Sequence, residues 1–400
     1  MAHLPPELVD HVLTLLDASE DVQALSACTL VCTAWLPFAR DHLFSTLRLS
    51  DAEPEKTKKL LQFRSLLESS LGIAYSIRRL VVTGSFTGSK LPLADLMSAL
   101  ALLPRLQHLH LDQWRISHLA RMDLSQYTSP LVLETLELQN IGFFLDAPAN
   151  IFHLLSLFSP TRDLMLTKVS FRYTYGSRYD DLIPKLSLPH SLAPSSLTIH
   201  EADDRAQLLL EAFAQTALPS TLTHLHISFY DFTPLLPTLA RFLTLAPALH
   251  TLTLDFARSF PYAYWSDKAG LADARAAAAA HLLPALAHTR LAALELRAPA
   301  LPPGPGPFWG LARDVLGARP GTLRALRVCA AHADPALRRS LAQHARLEIV
   351  EVCGLPEVAE TSWPALAKPR PSQLVQFESC SAFSGVEQAP HVAYVEVEPV

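Results

Sequence analysis

Apolar residues recur along this chain in two different rhythms. Up to about residue 43 they are spaced three and four apart, which predicts helices. From residue 44 onward a six-residue pattern, L-x-x-L-x-L, returns many times, with apolar and polar positions alternating as in a half-buried strand. The pattern therefore divides the chain into a helical unit over 1–43 and a strand-rich array over 44–400.

The strand pattern is close to periodic. Ten copies are clear, two weaker ones lie within DLML and SSLTI, and most of their central anchors are 27 to 33 residues apart. The anchors are Leu47, Leu80, Leu109, Leu136, Leu164, Leu197, Leu225, Leu252, Leu294, Leu326, Val350 and Val395. Segments with helical spacing, such as LADLMSALALL and PLLPTLARFLTLA, lie between strands. We therefore predict the α/β class, an irregular solenoid of short parallel strands alternating with helices. An ordinary α/β domain with leucine-rich strands is the alternative.

Two segments interrupt the array. Residues 255–290 hold an aromatic stretch, FARSFPYAYW, followed by an alanine run of high helix propensity. Residues 298–310 are rich in proline and glycine, which indicates a loop. The aromatic stretch over 256–265 either serves function, as long loops in compact proteins often do, or packs on the helix layer. The widest gap between anchors has room for a further strand near Leu374–Phe377.

The N-terminal pattern predicts three helices, over 6–16, 22–27 and about 30–40, with Pro37 kinking or ending the third. The first helix has apolar residues along two adjacent stripes. One stripe should close the small unit, and the other should await a partner. The two stripes consist of Leu8, Val12 and Leu15 and of Val9, Leu13 and Leu16.

Composition narrows the function classes. Half of the 400 residues are hydrophobic, which is enough for a large core, and the net charge of −5 argues against nucleic-acid binding. No apolar run is long enough to cross a membrane, and early prolines and acidic residues interrupt any secretory signal. Five cysteines in a chain of this length indicate reduced thiols, so we expect a cytoplasmic or nuclear protein, or both.

The N-terminal unit resembles an F-box. The run Leu4-Pro5-Pro6-Glu7-Leu8, later aliphatic residues and the stretch VCTAW over 31–35 match that family's pattern in order and spacing. The stretch LVCTAWLPFAR followed by HLF is most similar to F-box proteins of mushroom-type fungi. The resemblance implies a three-helix unit that docks on the Skp-type adaptor, and through it on cullin, in an SCF (cullin-RING) ubiquitin ligase. The implied adaptor-binding residues are Leu4, Pro5, Glu7, Leu8, Val12, Leu16, Leu25, Val31, Cys32 and Trp35.

The array resembles leucine-rich repeats, although the asparagine usual at the ninth repeat position is replaced, for example by Trp114 and Ile141. The resemblance implies that the chain, monomeric outside the complex, holds a target protein. Strand alternation points the residues beside each central leucine away from the core, and we expect them to form the target face. The candidates with histidine or charged side chains are His108, His110, Glu137, His224, His226, Glu295, Arg327 and Glu351.

Catalytic and metal chemistry find little support in the sequence. The two His-x-His pairs, His108/His110 and His224/His226, lie too far apart to share an ion, and no cysteine or carboxylate completes either set at usual spacing. We therefore predict no cofactor, no metal and no enzymatic activity. A binding scaffold without ubiquitin transfer is the first alternative. An enzyme with a site in an insertion is the second, and it would need a pocket of convergent titratable groups.

Overall fold

The computed structural model divides the chain into two compact units, Met1–Leu182 and Ile183–Val400. Both units combine helices with parallel strands, so the predicted α/β class is confirmed. The structure describes residues 5–16, 21–50, 58–85, 90–117, 129–144, 147–172, 192–200, 206–228, 235–255, 276–297, 314–315, 323, 325–329, 349–353, 374–378 and 392–395.

The first unit begins with three short helices around a small core. They are α1 Pro6–Thr14, α2 Val22–Cys28 and α3 Leu36–Leu43. The core consists of Val9, Leu13, Leu25 and Ala39, and Trp35 and Phe38 are among the partly buried side chains packed against it. An ion pair between Asp10 Oδ1 and His42 Nε2, 2.9 Å apart, also joins α1 to α3.

The third helix starts later than predicted. Leu30 to Trp35 form turns, and α3 begins at Leu36, with Pro37 in its first turn. The prediction that Pro37 kinks or ends this helix is wrong, because the N–H that proline lacks is unsatisfied anyway at a helix start. Val31 and Cys32 therefore lie in the connection between α2 and α3.

Five parallel strands follow in chain order and form the main sheet of the first unit. Each pairs with the next so that the predicted anchors face one another, from Leu47 opposite Leu80 to Leu136 opposite Leu164. The strands are β1 Thr46–Ser50, β2 Arg79–Thr83, β3 His108–Asp112, β5 Leu131–Gln139 and β7 Phe158–Thr167. The helices between them are α4 Lys58–Ser69, α5 Leu71–Ser76, α6 Leu93–Leu100 and α7 Ala147–Ser156.

A recurring turn replaces the asparagine ladder in this unit. Gln113, Asn140 and Lys168, each just after a strand, have positive φ values of 60°, 52° and 53°. The next residue points inward in each case, and Trp114 and Ile141 at the ninth repeat position are buried. A second sheet of short parallel strands follows these turns: β4 Arg115–Ser117, β6 Gly142–Phe144 and β8 Ser170–Arg172.

The second unit repeats the same plan. Its strands are β9 Ser196–His200, β10 His224–Ser228, β11 Thr251–Asp255, β12 Ala293–Arg297, β13 Ala325–Cys329, β14 Ile349–Cys353, β15 Leu374–Glu378 and β16 Val392–Val395. Strands β9 to β15 are parallel and follow chain order, again with the anchors in register. Strand β15 is the one expected near Leu374, whereas β16 pairs with it antiparallel. Val395 is therefore not an anchor of a parallel copy.

Helices cover one face of the second sheet. They are α8 Ala206–Phe213, α9 Leu218–Thr221, α10 Leu236–Thr244, a π-helical turn Ala278–Leu282 and α11 Leu283–His288. The alanine run is thus helical from residue 276, as predicted. The aromatic stretch over 256–265 and the proline-rich loop over 298–310 lie outside the described residues.

The starts of neighbouring strands share one hydrogen-bond pattern in both units. The Ser45 carbonyl accepts the N–H groups of both Arg78 and Arg79, and the Thr223 carbonyl accepts those of His250 and Thr251. The same doubly accepting carbonyl recurs at Arg78, Gln107, Ser195 and His250. Successive strand–helix units are therefore joined by one repeated contact.

Candidate functional site

The first helix exposes one apolar stripe and buries the other. Val9 and Leu13 are 3% and 0% exposed, whereas Leu8, Val12 and Leu15 are 50%, 46% and 75% exposed. Leu30 and Val31, in the connection between α2 and α3, are 84% and 60% exposed. We call Leu8, Val12, Leu15, Leu30 and Val31 the N-terminal apolar surface. Solvated leucines and valines in such number on so small a unit are typical of a surface that binds a partner.

The other residues predicted to bind the adaptor range from exposed to fully buried. Pro5 occupies the N-cap position of α1, and Glu7 lies in the first turn, where the helix dipole favours a carboxylate. Pro5, Glu7 and Cys32 are all exposed. Leu16 and Trp35 are partly buried against the core of the helical unit. Leu25 is fully buried, so its inclusion as a contact residue is corrected: it supports the unit from within. Leu4 lies outside the described residues.

The predicted target residues on β3, β5, β10 and β12 lie on the sheet face opposite the buried leucines. In the first unit His108, His110 and Glu137 are partly exposed, and His110 Nδ1 lies 3.6 Å from Glu137 Oε2. In the second unit His224 is exposed, and His226 and Glu295 are partly exposed. Strand register places Arg327 and Glu351 in the same row as Glu295.

Two of the predicted target residues, His226 and Glu295, lie among further polar side chains that the sequence pattern did not identify as candidates. We call the group the β9–β12 polar cluster, and every member lies on the sheet face away from the helices. Its members are His200, His226, Ser228, Asp255, Glu295 and Arg297. All lie at or near the carboxyl ends of parallel strands, which is where ligands bind in open α/β sheets.

Hydrogen bonds and ion pairs tie the cluster together. Glu295 accepts a bond from Arg297 Nε at 2.9 Å through Oε1 and one from Thr253 Oγ1 at 3.2 Å through Oε2. His200 Nε2 lies 3.7 Å from Asp255 Oδ2. The rings of His200 and His226 meet edge to face, with their centres 5.8 Å apart.

Burial determines the protonation of His226. Desolvation, with repulsion from Arg297 as the next cause, lowers the pKa of its ring to about 4. The ring is therefore neutral near pH 7. Its Nε2 is buried without a hydrogen-bond partner, as is Ser228 Oγ. The Ser228 hydroxyl bonds no histidine, so the cluster does not form the hydrogen-bonded nucleophile–base pair of a serine hydrolase.

Strand alternation predicts that His226 and Glu295 point away from the core, and the residues two positions further along each strand point the same way. Applying the same alternation once more would have found Ser228, Asp255 and Arg297. In the part of the chain that the structure describes, no three His, Cys, Asp or Glu side chains are arranged to hold a metal ion. No helix among the described residues has the length and apolarity that crossing a bilayer requires.

No protein-family profile recognises the sequence, and no curated protein is significantly similar to it.

Proposed function

We propose that this chain is the substrate-recognition subunit of an SCF (cullin-RING) ubiquitin ligase, acting as a monomer outside that complex in the cytoplasm, the nucleus or both. The helical unit is an F-box that docks on the Skp-type adaptor and through it on cullin. The remaining chain is a degenerate leucine-rich-repeat-like solenoid that holds a target protein. The chain itself carries out no covalent step.

The exposed stripe of α1 is the observation that carries this proposal. A helix that only capped the array would expose polar residues opposite its buried stripe. Here Leu8, Val12 and Leu15 occupy that position instead, while Val9 and Leu13 already fill the core. Burying such side chains in a partner contributes about 1.5–3 kcal/mol each, which is enough to drive docking.

The repeated plan of both units supports the target-binding role. Successive strands pair in parallel with their anchors in register, and successive strand–helix repeats within each unit are joined by the same backbone hydrogen-bond pattern. Repeat proteins of this kind present long rows of outward side chains, which suit binding to another protein. The rows here mix histidine, carboxylate and guanidinium groups, as a specific protein interface requires.

Adaptor capture tests the proposal. Purified Skp-type adaptor should bind the wild-type chain, and the double variant Leu8→Ala/Val12→Ala should bind at least about tenfold more weakly because two buried contacts are lost. The matched control is Leu61→Ala/Leu66→Ala on α4, whose leucines are 47% and 46% exposed. That control should bind as the wild type does, since it alters equally exposed leucines elsewhere.

Two results would argue against the proposal. If the wild-type chain does not bind the adaptor, the F-box assignment fails. If both double variants lose adaptor binding equally, the loss does not report on the N-terminal apolar surface. Adding cullin separates the scaffold alternative: a chain that binds adaptor yet never recruits cullin does not act in ubiquitin transfer.

A further inference from the structure

The β9–β12 polar cluster contains two buried polar atoms whose hydrogen-bonding capacity is unused. They are Ser228 Oγ and His226 Nε2, two residues apart on β10 and on one face of the sheet. Ser228 is 0% exposed. A buried polar atom without a partner is destabilising, so native proteins rarely retain one unless it serves a ligand or water.

A carboxylate lies directly beside these atoms. Asp255 is the cross-strand neighbour of Ser228, and it is only 5% exposed. The contact between His200 and Asp255 runs from β9 to β11, so the His200 ring crosses β10 at the level of Ser228. Ser228 and Asp255 therefore lie side by side on neighbouring strands, His226 lies two residues before Ser228 on the same face, and the His200 ring lies over Ser228.

The charge of the cluster favours a bound cation. Its two carboxylates, Asp255 and Glu295, outnumber its one guanidinium, that of Arg297. Arg297 is paired with Glu295 at 2.9 Å. The depressed pKa of His226 leaves its ring neutral, and a neutral imidazole has one nitrogen that accepts a hydrogen bond.

We propose that the β9–β12 polar cluster binds the ammonium group of a lysine side chain on the target. The three donors of an ammonium match three acceptors: an Asp255 carboxylate oxygen, Ser228 Oγ and His226 Nε2. The four-carbon stem of lysine reaches buried acceptors that a chain N-terminus, which has no stem, cannot. This inference rests on the proposed role of the array as the target-binding surface.

Binding of a small probe to the full chain tests this site. N-acetyl-lysine methylamide, titrated by calorimetry, should bind, whereas N-acetyl-norleucine methylamide, which lacks only the ammonium, should not. With histidine-selective ¹⁵N labelling, the Nε2 resonance of His226 should shift with the lysine probe alone; His226→Gln assigns that resonance. Equal responses to both probes would overturn the proposal.

Variants place the binding in the cluster. Ser228→Ala and Asp255→Asn should each weaken the lysine probe about tenfold, because the first removes one acceptor and the second removes the negative charge that pairs with the ammonium. Glu137→Gln, in the first unit, is the matched control and should leave binding unchanged. His200→Ala alters a less buried side chain and should tighten binding about threefold, because the competing ring is gone.

The outcomes distinguish the lysine site from the proposed ubiquitin-ligase function. Folded Ser228→Ala or Asp255→Asn protein that binds the probe as the wild type does would overturn the lysine site, as would weaker binding by His200→Ala. None of these measurements involves the adaptor, so a chain that binds adaptor but not the lysine probe contradicts only this inference.

Discussion

His226 lies at the middle of β10 in the second unit, and its surroundings disfavour a proton on its ring. Burial first, and then the positive charge of Arg297, lower its pKa from an ordinary value of 6.5 to about 4, against the opposing effect of Asp255 and Glu295. The unfolded chain, in which the ring is solvated, therefore binds a proton more readily between pH 6.5 and pH 4. Stability must then rise with pH across that window.

The His226→Gln variant tests this linkage. Stability from a depressed histidine pKa is fully present above pH 6.5 and is lost as the pH falls towards 4. The wild type should lose about 2 kcal/mol more of its free energy of unfolding between pH 7 and pH 5 than the variant does. Urea unfolding at both values measures the difference, and equal losses in the two proteins would contradict it.

For single residues, the sequence predicts which way a side chain points better than which groups surround it. Alternation along β10 and β12 correctly points His226 and Glu295 away from the buried leucines. The isolation of Ser228 Oγ depends instead on which strands lie side by side, and on a His200 side chain that crosses from β9 to β11. No local pattern contains that information, because these residues on neighbouring strands are 27 or more apart in sequence.

At the scale of elements, apolar periodicity predicted helices well and boundaries less well. The two stripes of α1 separate as expected because a helix repeats every 3.6 residues, which fixes which side chains share a side. The start of α3 was misplaced because Pro37 was interpreted as a stop, although proline is equally suited to a first turn. The turn residues with positive φ were not predicted, since two of them are Gln113 and Lys168 and not glycine.

Gly84 shows how closely these turns stack. It follows β2, and its N–H donates to the Asp112 carbonyl at 2.8 Å. A Cβ at this position would lie 2.6 Å from the Gln113 carbonyl oxygen and 2.7 Å from the ring of Trp114. Trp114 is itself held, because its Nε1 donates to the Val82 carbonyl at 2.9 Å. Neither neighbour can move without disturbing the strands.

We therefore expect Gly84→Ala to lower the free energy of unfolding by about 1–3 kcal/mol. Gly72→Ala is the control, because Gly72 lies in α5 with nothing within 4 Å of an added Cβ. Alanine there should be neutral or stabilise by up to about 1 kcal/mol. Chemical denaturation compares the two variants, and equal effects would show that stacking between the turns does not constrain this position.

At the scale of the whole molecule, the repeated strand pattern predicted parallel pairing in chain order, because each copy can bury its leucines only against the next. The division at residues 182 and 183 was not predicted. The pattern of anchors continues from Leu164 to Leu197 at the usual interval, so nothing in the spacing marks a boundary there.

The two units should unfold in separate steps, because each has its own set of buried leucines. Leu136 and Leu252 are equivalent anchors in the first and second units, and both are 0% exposed. Leu136→Ala and Leu252→Ala should each remove about 2–5 kcal/mol from one unit, lowering one calorimetric transition by roughly 5–15 °C and leaving the other in place. The transition that moves should differ between the two variants. A single transition that both variants shift equally would mean that the array unfolds as one cooperative body, with the coupling between units stronger than the packing of each leucine.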